Sequence, residues 1–207
     1  MNKVNNFTLC SQGCCGSARM VHCLEKSGLI RIYPSQYDNY TTHLCIDNHR
    51  RTPPKNSSNK ILYMYADPRN ILLCSLNKGM SNDWVWSHSV HLEGYSQYFE
   101  KSLSKVTIKE ILKDEIDPFQ LEEHFLSWLN LEIHYELMLL KYEALEDSSV
   151  FQKVLDFFEI EGNCNYDWRP RKTSYLNLLK EHQIEITKLF DSLLKLQKSI
   201  NPLWLRK

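Results

Sequence analysis

Residues 7–26 read FTLCSQGCCGSARMVHCLEK and join a short apolar run to a segment with helical periodicity through a loop of small residues. The apolar run at 7–10 predicts a buried strand, and residues 17–26 predict the following helix, which ends before Gly28. A glycine-bearing turn at a helix N-terminus exposes backbone N–H groups in the positive field of the helix dipole, so such loops bind phosphates. The stretch therefore predicts a strand–loop–helix unit with a candidate anion site at residues 13–17.

The same loop also has a purely structural interpretation. Gly13 and Gly16 permit close approach of the backbone to a ligand, and Ser17 offers a hydroxyl at the start of the helix. The loop contains no GK[ST] sequence, so it is not the common P-loop of nucleotide-binding proteins. A tight turn capped by Ser17 explains the same residues without a ligand, and the loop alone leaves both interpretations open.

Apolar runs and helix-period segments alternate along the rest of the chain. The predicted strands are residues 7–10, 29–33, 41–46, 61–65 and 135–140, and the predicted helices are 17–26, one that begins at 70–76, 118–130, 149–158 and 182–196. Residues 77–118 have no clean period and are either a lid or acceptor-facing segment or an irregular packed connection. The alternation predicts one α/β domain over residues 1–207, a three-layer sandwich with a central, mostly parallel sheet. In such sheets ligands bind beyond the carboxyl ends of the strands, where the loop at 13–17 lies.

The composition and net charge predict no overall electrostatic attraction of the protein to a strongly charged partner. Lys plus Arg and Asp plus Glu each number 25, so the formal net charge is zero and any anion site must be local. We therefore expect no nucleic-acid partner and no membrane partner. The start of the chain lacks the apolar segment of a signal peptide, and the longest apolar runs are shorter than a membrane span. We expect a cytoplasmic protein, and the sequence does not indicate its oligomeric state.

The seven cysteines are an odd number at irregular spacing, and we expect them to stay thiols in that compartment. The four nearest the N-terminus, Cys10, Cys14, Cys15 and Cys23, do not have the paired spacing of zinc sites, so no metal is predicted. Cys14 and Cys15 stand near a predicted helix N-terminus, a position that can lower a thiol pKa and make the thiol reactive.

Four segments follow one another in an informative order: FTLCSQGCCGSARM, TTHLCIDN, KILYMYADPRNILLCSL and MLLKYEALEDSSVFQKVLDFFEI. Together they resemble the sulfotransferase superfamily, whose members transfer a sulfuryl group from 3′-phosphoadenosine 5′-phosphosulfate (PAPS). Members typically have a PKSGTT- or PRSGST-like loop, then KTHL, an IYVVRNPKDVAVSY-like strand and turn, and an LKYEDL segment. The resemblance extends over roughly residues 5–195, and the order of the segments carries it.

The resemblance assigns the first loop to the 5′-phosphosulfate. Gly16 and Ser17 match the family, whereas Cys14 stands where the family has Lys or Arg, and Ala18 stands at a hydroxyl residue. The missing cation normally neutralises charge on the bridging oxygen as the sulfuryl group leaves, and Arg19 is the nearest replacement in sequence. The implied cofactor-binding residues of this loop are Gly13, Cys14, Cys15, Gly16, Ser17, Ala18 and Arg19.

The second segment implies a catalytic base. TTHL at residues 41–44 matches KTHL at three of four positions, and in the cytosolic branch of the family this His removes the proton of the acceptor hydroxyl. An imidazole, with a pKa near neutrality, suits that role for His43. A hydrogen-bonded structural histidine is the alternative.

The third segment implies contacts to the 3′-phosphate of the cofactor. In ADPRNILLCS, Ala66 and Cys74 stand where the family has the Arg and the Ser of that site. Arg69 and Ser75 are close by in sequence and are the implied substitutes. A surface arginine in a turn is the alternative interpretation of Arg69.

Two further segments complete the resemblance. Arg171 and Lys172, in WRPRKT, resemble the late RKG-type segment that closes over the 3′-phosphate, and a solvated basic cluster is their alternative. Tyr142 and Glu143, in LLKYEAL, match LKYEDL. The match implies that they support the cofactor loop without contacting the cofactor, and a strand end with a turn is the alternative.

The resemblance implies in-line sulfuryl transfer from PAPS, without a metal, to a hydroxyl or amine of a small-molecule or glycan acceptor. His43 is the implied base, and Gly16, Ser17 and backbone amides hold the 5′ end. Because the changes at Cys14, Ala66 and Cys74 affect both ends of the cofactor, a catalytically inactive member that binds a nucleotide or a partner is the alternative. A P-loop kinase ranks third, because the loop lacks the Lys that contacts β- and γ-phosphates.

Overall fold

The fold is that of a computed structural model, which describes residues 6–33, 53, 54, 57, 60–77, 107–130, 132–161 and 166–206. The strands are β1 Asn6–Ser11, β2 Ile30–Arg31, β3 Ile61–Tyr65, β4 Leu137–Lys141 and β5 Leu203–Arg206. The helices are α1 Ser17–Lys26, α2 Pro68–Asn77, α3 Ile108–Asp114, α4 Leu121–Asn130, α5 Ser148–Phe157, α6 Lys180–Leu189 and α7 Asp191–Ser199. Short 3-10 helices occupy Tyr142–Glu146 and Tyr175–Asn177.

One five-stranded sheet organises these elements, in the order β2-β1-β3-β4-β5. Strands β1, β2, β3 and β4 are parallel to one another, and β5 is antiparallel to β4. Strand β3 is buried along its whole length, as expected for a central parallel strand covered on both faces. The structure therefore confirms the predicted α/β class with a mostly parallel sheet.

The parallel pairing determines where the candidate site lies. Strands β1, β3 and β4 run in the same direction, so the segments that follow them lie at one edge of the sheet. These segments are the loop at 12–16, the turn at Ala66 and Asp67, and the 3-10 helix that begins at Tyr142. The sheet thus brings together three stretches that are far apart in sequence.

Aromatic packing holds α4 against β3. The ring of Tyr63 stacks on Trp128 with centroids 4.6 Å apart, and Tyr65 packs on Phe125 at 4.8 Å. Tyr63 and Tyr65 are two positions apart on a strand, so both rings project from the same face of the sheet. That face belongs to the hydrophobic core, in which all four of these side chains are buried.

The structure differs from the sequence predictions in two ways near the C-terminus. The helix predicted at 182–196 is two helices, α6 and α7, separated at Phe190. The apolar period continues through this break, because Ile186, Phe190 and Leu193 are all buried, so the pattern does not reveal it. Strand β5 was not predicted: it has four residues and pairs with residues 137–140 of β4.

The other predicted elements agree with the structure to different degrees. Helix α1 and strand β3 have the predicted bounds, and β4 occupies 137–141 where 135–140 was predicted. Helix α3 lies within the predicted irregular stretch at 77–118, most of which falls outside the described residues. The predicted strand at 41–46, with His43, also falls outside them.

In the part of the chain that the structure describes, no helix is long enough and apolar enough to cross a membrane.

Candidate functional site

Three residues of the loop between β1 and α1 have a left-handed backbone conformation. Gly13, Cys14 and Gly16 have φ values of 85°, 47° and 75°. Gly16 is the N-cap of α1 and provides no side-chain hydrogen bond, and Ser17 is the first residue of the helix. The prediction that Ser17 caps the helix is therefore wrong, because Gly16 occupies the cap position. No side chain caps the helix, and within its first turn the N–H of Arg19 donates to the carbonyl oxygen of Gly16 at 3.1 Å. The helix N-terminus still presents the positive end of its dipole to an anion.

The ring of Tyr142 packs directly on Gly16. A Cβ atom at Gly16 would lie 2.8 Å from Cδ2 of Tyr142, closer than real contacts permit. The Tyr142 hydroxyl donates to the carbonyl oxygen of Arg169 at 2.7 Å, and burial raises the pKa of this hydroxyl. The first residue after β4 therefore connects the loop to the segment around Arg169.

The guanidinium of Arg171 lies at the loop. Its Nη1 donates to the carbonyl oxygen of Cys14, and its Cζ lies 4.5 Å from the ring centroid of Tyr142. Only 13% of the Arg171 side chain is exposed. Its Nε and Nη2 atoms are buried and make no hydrogen bond to any residue that the structure describes. A cation with unused donors thus stands beside a loop of backbone amides.

Glu143 balances this cation and connects a second element to it. Its Oε1 lies 3.5 Å from Nε of Arg171, close enough for an ion pair but without hydrogen-bond geometry. The same oxygen accepts a hydrogen bond of 3.3 Å from the backbone N–H of Asp67, in the turn after β3. Glu143 therefore fixes the Arg171 side chain relative to the carboxyl ends of β3 and β4.

A cavity of about 230 Å³ opens where these groups meet. Its lining comprises Cys14, Gly16, Cys74, Tyr142, Arg171, Lys172 and Thr173. A second cavity, of about 430 Å³, has Lys172 and Thr173 in its lining as well, together with residues of α2 and Ile108 of α3. The two cavities are neighbours, and together they follow one side of α2.

Four of the predicted site residues meet in the smaller cavity, namely Cys14, Gly16, Arg171 and Lys172. Thr173 is not among the residues that the sequence indicates for this site. Tyr142 is predicted only to support the cofactor loop without lining the cavity. Their sequence signal is weak: Thr173 merely follows two basic residues, and a tyrosine at a strand end is common.

Two of the other loop positions that are predicted to bind the cofactor, Cys15 and Ala18, have different surroundings. Cys15 is fully buried, its Sγ lies 3.5 Å from the carbonyl oxygen of Met64, and burial raises the pKa of its thiol to about 11. The expectation that Cys15 has a lowered pKa is therefore wrong, because its environment excludes the water that would solvate a thiolate. Ala18 is exposed at the start of α1.

The two arginines proposed as replacements for lost cations both have protein partners. Nη1 of Arg19 donates to the carbonyl oxygen of Asp167 at 2.5 Å. Arg69 donates from Nε and Nη2 to the carboxylate of Asp67 at 2.9 and 2.6 Å, and from Nη1 to Thr187 at 3.1 Å. Neither arginine lines the smaller cavity.

The residues expected at the 3′-phosphate are arranged around the start and middle of α2. The carbonyl oxygen of Ala66 accepts a hydrogen bond of 3.2 Å from Gln197. Ser75 is buried, and its Oγ lies 3.6 Å from Sγ of Cys14. Cys74, and not Ser75, lines the cavity.

Within the described part of the chain, no three His, Cys, Asp or Glu side chains are placed to hold a metal ion. No family model and no curated protein matches this sequence.

Proposed function

We propose that this protein is a sulfotransferase-like enzyme that transfers a sulfuryl group from PAPS to a hydroxyl or amine acceptor. One observation carries the proposal: the guanidinium of Arg171 donates to the carbonyl of Cys14, 157 positions away in the chain. The resemblance leaves the loop without its Lys or Arg at position 14. Arg171 returns a positive charge to that loop from the opposite end of the sequence.

The chemistry proposed for this site needs a phosphate-binding turn and stabilisation of charge. The acceptor oxygen or nitrogen attacks sulfur, the bond from sulfur to the bridging oxygen breaks, and His43 takes the acceptor proton. Negative charge then grows on the bridging oxygen of the leaving 3′-phosphoadenosine 5′-phosphate. The buried guanidinium of Arg171 and the N-terminal amides of α1 oppose that charge, and they are in place before the reaction begins.

In this proposal the larger cavity holds the rest of the nucleotide. Lys172 and Thr173 border both cavities, so a ligand with its 5′ end at the loop can continue along α2 past them. Lys172 is exposed and carries the positive charge that a 3′-phosphate requires. The proposed architecture is the three-layer sandwich of the family, with the cofactor beyond the strand ends.

A catalytically inactive protein that binds a nucleotide or a partner is the second candidate. It is favoured by the cysteines at positions 14 and 74 and by Ala66, which replace groups that the family uses to bind the cofactor. It is also favoured by Arg69, whose donors are engaged by Asp67 and Thr187.

A transfer assay with sulfur-labelled PAPS and a panel of hydroxyl and amine acceptors tests the proposal. We expect label in an acceptor, and we expect Arg171→Gln to lower kcat about a hundredfold, the usual loss for one charge-stabilising donor. Arg169→Gln is the matched control, because its side chain is 68% exposed and pairs with Asp167.

The outcomes of this assay separate the two candidates. Nucleotide binding without transfer to any acceptor favours the inactive protein. Absence of nucleotide binding contradicts the enzyme and leaves the inactive protein only as a binder of a partner. His43→Ala should abolish transfer while nucleotide binding is retained, and equal loss in the exposed control His22→Ala would contradict the assignment of the base.

A further inference from the structure

Two thiols line the smaller cavity, and both replace residues that the resemblance assigns to cofactor binding. Cys14 belongs to the loop before α1, and Cys74 belongs to α2. Both side chains are partly exposed. The other described cysteines are unlike them, because Cys10 and Cys15 are buried and Cys23 lies on α1 outside the cavity lining.

The contacts of the loop bring Cys14 to the part of α2 that contains Cys74. Sγ of Cys14 lies 3.6 Å from Oγ of Ser75, and Cys74 is the residue immediately before Ser75 on α2. Consecutive Cα atoms are about 3.8 Å apart. Side chains of consecutive helical residues point about 100° apart, so Cys74 faces the cavity from a different direction than Ser75. A disulfide requires that the loop and α2 bring the two Cα atoms within about 4.4–6.8 Å of each other.

The positive charges at the cavity favour oxidation of these thiols by a disulfide that carries negative charge. Arg171 donates to the carbonyl of Cys14 itself, and Lys172 lines the same space. Neighbouring cations favour the thiolate form, which is the nucleophile in thiol–disulfide exchange. They also attract a small disulfide that carries carboxylates, such as glutathione disulfide.

We propose that Cys14 and Cys74 are a modification site at which a small anionic disulfide introduces an intramolecular disulfide bond. The Cys14 thiolate attacks one sulfur of glutathione disulfide, forming a mixed disulfide and releasing one glutathione thiolate. The Cys74 thiolate then attacks Sγ of Cys14, which forms the protein disulfide and releases the second glutathione thiolate. The protein loses two electrons and two protons, and glutathione disulfide is reduced to two glutathione molecules.

The resulting bond crosses the cavity between the loop and α2 and occupies the space beside Arg171. Disulfide formation itself is independent of the proposed function. Its consequence, loss of nucleotide binding, rests on the proposed function.

The modification is tested by incubating the full chain with glutathione disulfide, alkylating the remaining thiols and mapping the peptides by mass spectrometry. We expect a crosslink between the Cys14 and Cys74 peptides that dithiothreitol reverses. Cys74→Ser should instead accumulate glutathione on Cys14, and the control Cys23→Ser should behave as the wild type. Alkylation of both thiols, a persistent glutathione adduct on the wild type, or a crosslink to another cysteine would overturn the proposal.

Calorimetric titration of the oxidised and reduced forms with 3′-phosphoadenosine 5′-phosphate then tests the consequence. We expect oxidation to weaken binding more than about tenfold and reduction to restore it. Unchanged affinity in the crosslinked protein overturns the inferred blocking of the cavity. If the crosslink forms and the reduced protein binds no nucleotide, the proposed function fails while the modification site stands.

Discussion

Gly16 shows at the scale of one residue why this loop is built from small amino acids. Its backbone is left-handed, with φ of 75°, and the ring of Tyr142 occupies the space that a side chain would need. Either condition alone disfavours any residue with a Cβ atom. Together they keep the backbone at the wall of the cavity, where its amides can approach a ligand.

Gly16→Ala is therefore expected to be more destabilising than Gly28→Ala. Gly28 also has a positive φ, of 89°, but a Cβ there meets nothing within 4 Å. We expect a loss of about 1–2 kcal/mol in the free energy of unfolding for Gly28→Ala, from the backbone alone. For Gly16→Ala we expect about 1–3 kcal/mol more, from the clash with Tyr142. Urea unfolding of both variants measures the difference, and equal losses would show that the ring moves aside without cost.

Cys15 predicts a pH dependence of stability. Its pKa is about 11 in the folded protein against 9.0 for an unperturbed thiol, because burial disfavours the thiolate. Between these values the unfolded chain releases a proton that the folded chain keeps, so the stability that Cys15 contributes is lost as pH rises from 9 towards 11.

The slope of unfolding free energy against pH should be steeper in the wild type than in Cys15→Ala over this window. The difference should reach about 1.4 kcal/mol per pH unit. The tyrosines whose pKa values burial raises titrate in both proteins, so the comparison removes most of their contribution. Parallel slopes would mean that Cys15 is solvated.

At the scale of the element, the sequence predicts what local periodicity encodes. Helix α1 has one apolar stripe, with Met20, Val21 and Leu24 buried, and β3 is a continuous apolar run, so both were predicted with their observed bounds. The break at Phe190 was not predictable, because a buried aromatic continues the helical pattern. Strand β5 was not predictable either, because four residues give too short a pattern and their pairing with β4 is a tertiary effect.

The N-terminal cap of helix α3 gives a prediction about stability. This end of the helix borders the larger cavity. Thr107 caps the helix, and Thr107 and Glu110 form a reciprocal capping box. Thr107→Ala should lower the free energy of unfolding by about 1 kcal/mol. The exposed residue Lys109 in the same turn supplies the control Lys109→Ala, which should change it by less than about 0.5 kcal/mol. Equal effects in a urea titration would contradict a stabilising role of the cap.

At the scale of the whole molecule, the parallel sheet assembles the candidate site from distant segments. Glu143 joins the turn after β3 to Arg171, and Arg171 joins both to the loop after β1. The sequence predicted that the loop lies at a strand end, whereas a phosphate contact of Arg171 is implied only by the resemblance and stays a prediction. It could not predict that Arg171 contacts Cys14, because no local pattern encodes a pair 157 positions apart.

The central claim is that this assembly binds the nucleotide of a sulfuryl donor, and calorimetric titration with 3′-phosphoadenosine 5′-phosphate tests it most directly. The wild type and the control Arg169→Gln should bind with micromolar affinity. Arg171→Gln should bind at least about tenfold more weakly, because it removes a buried charged donor. Absence of binding at millimolar nucleotide, or equal affinity in Arg171→Gln, would contradict the claim.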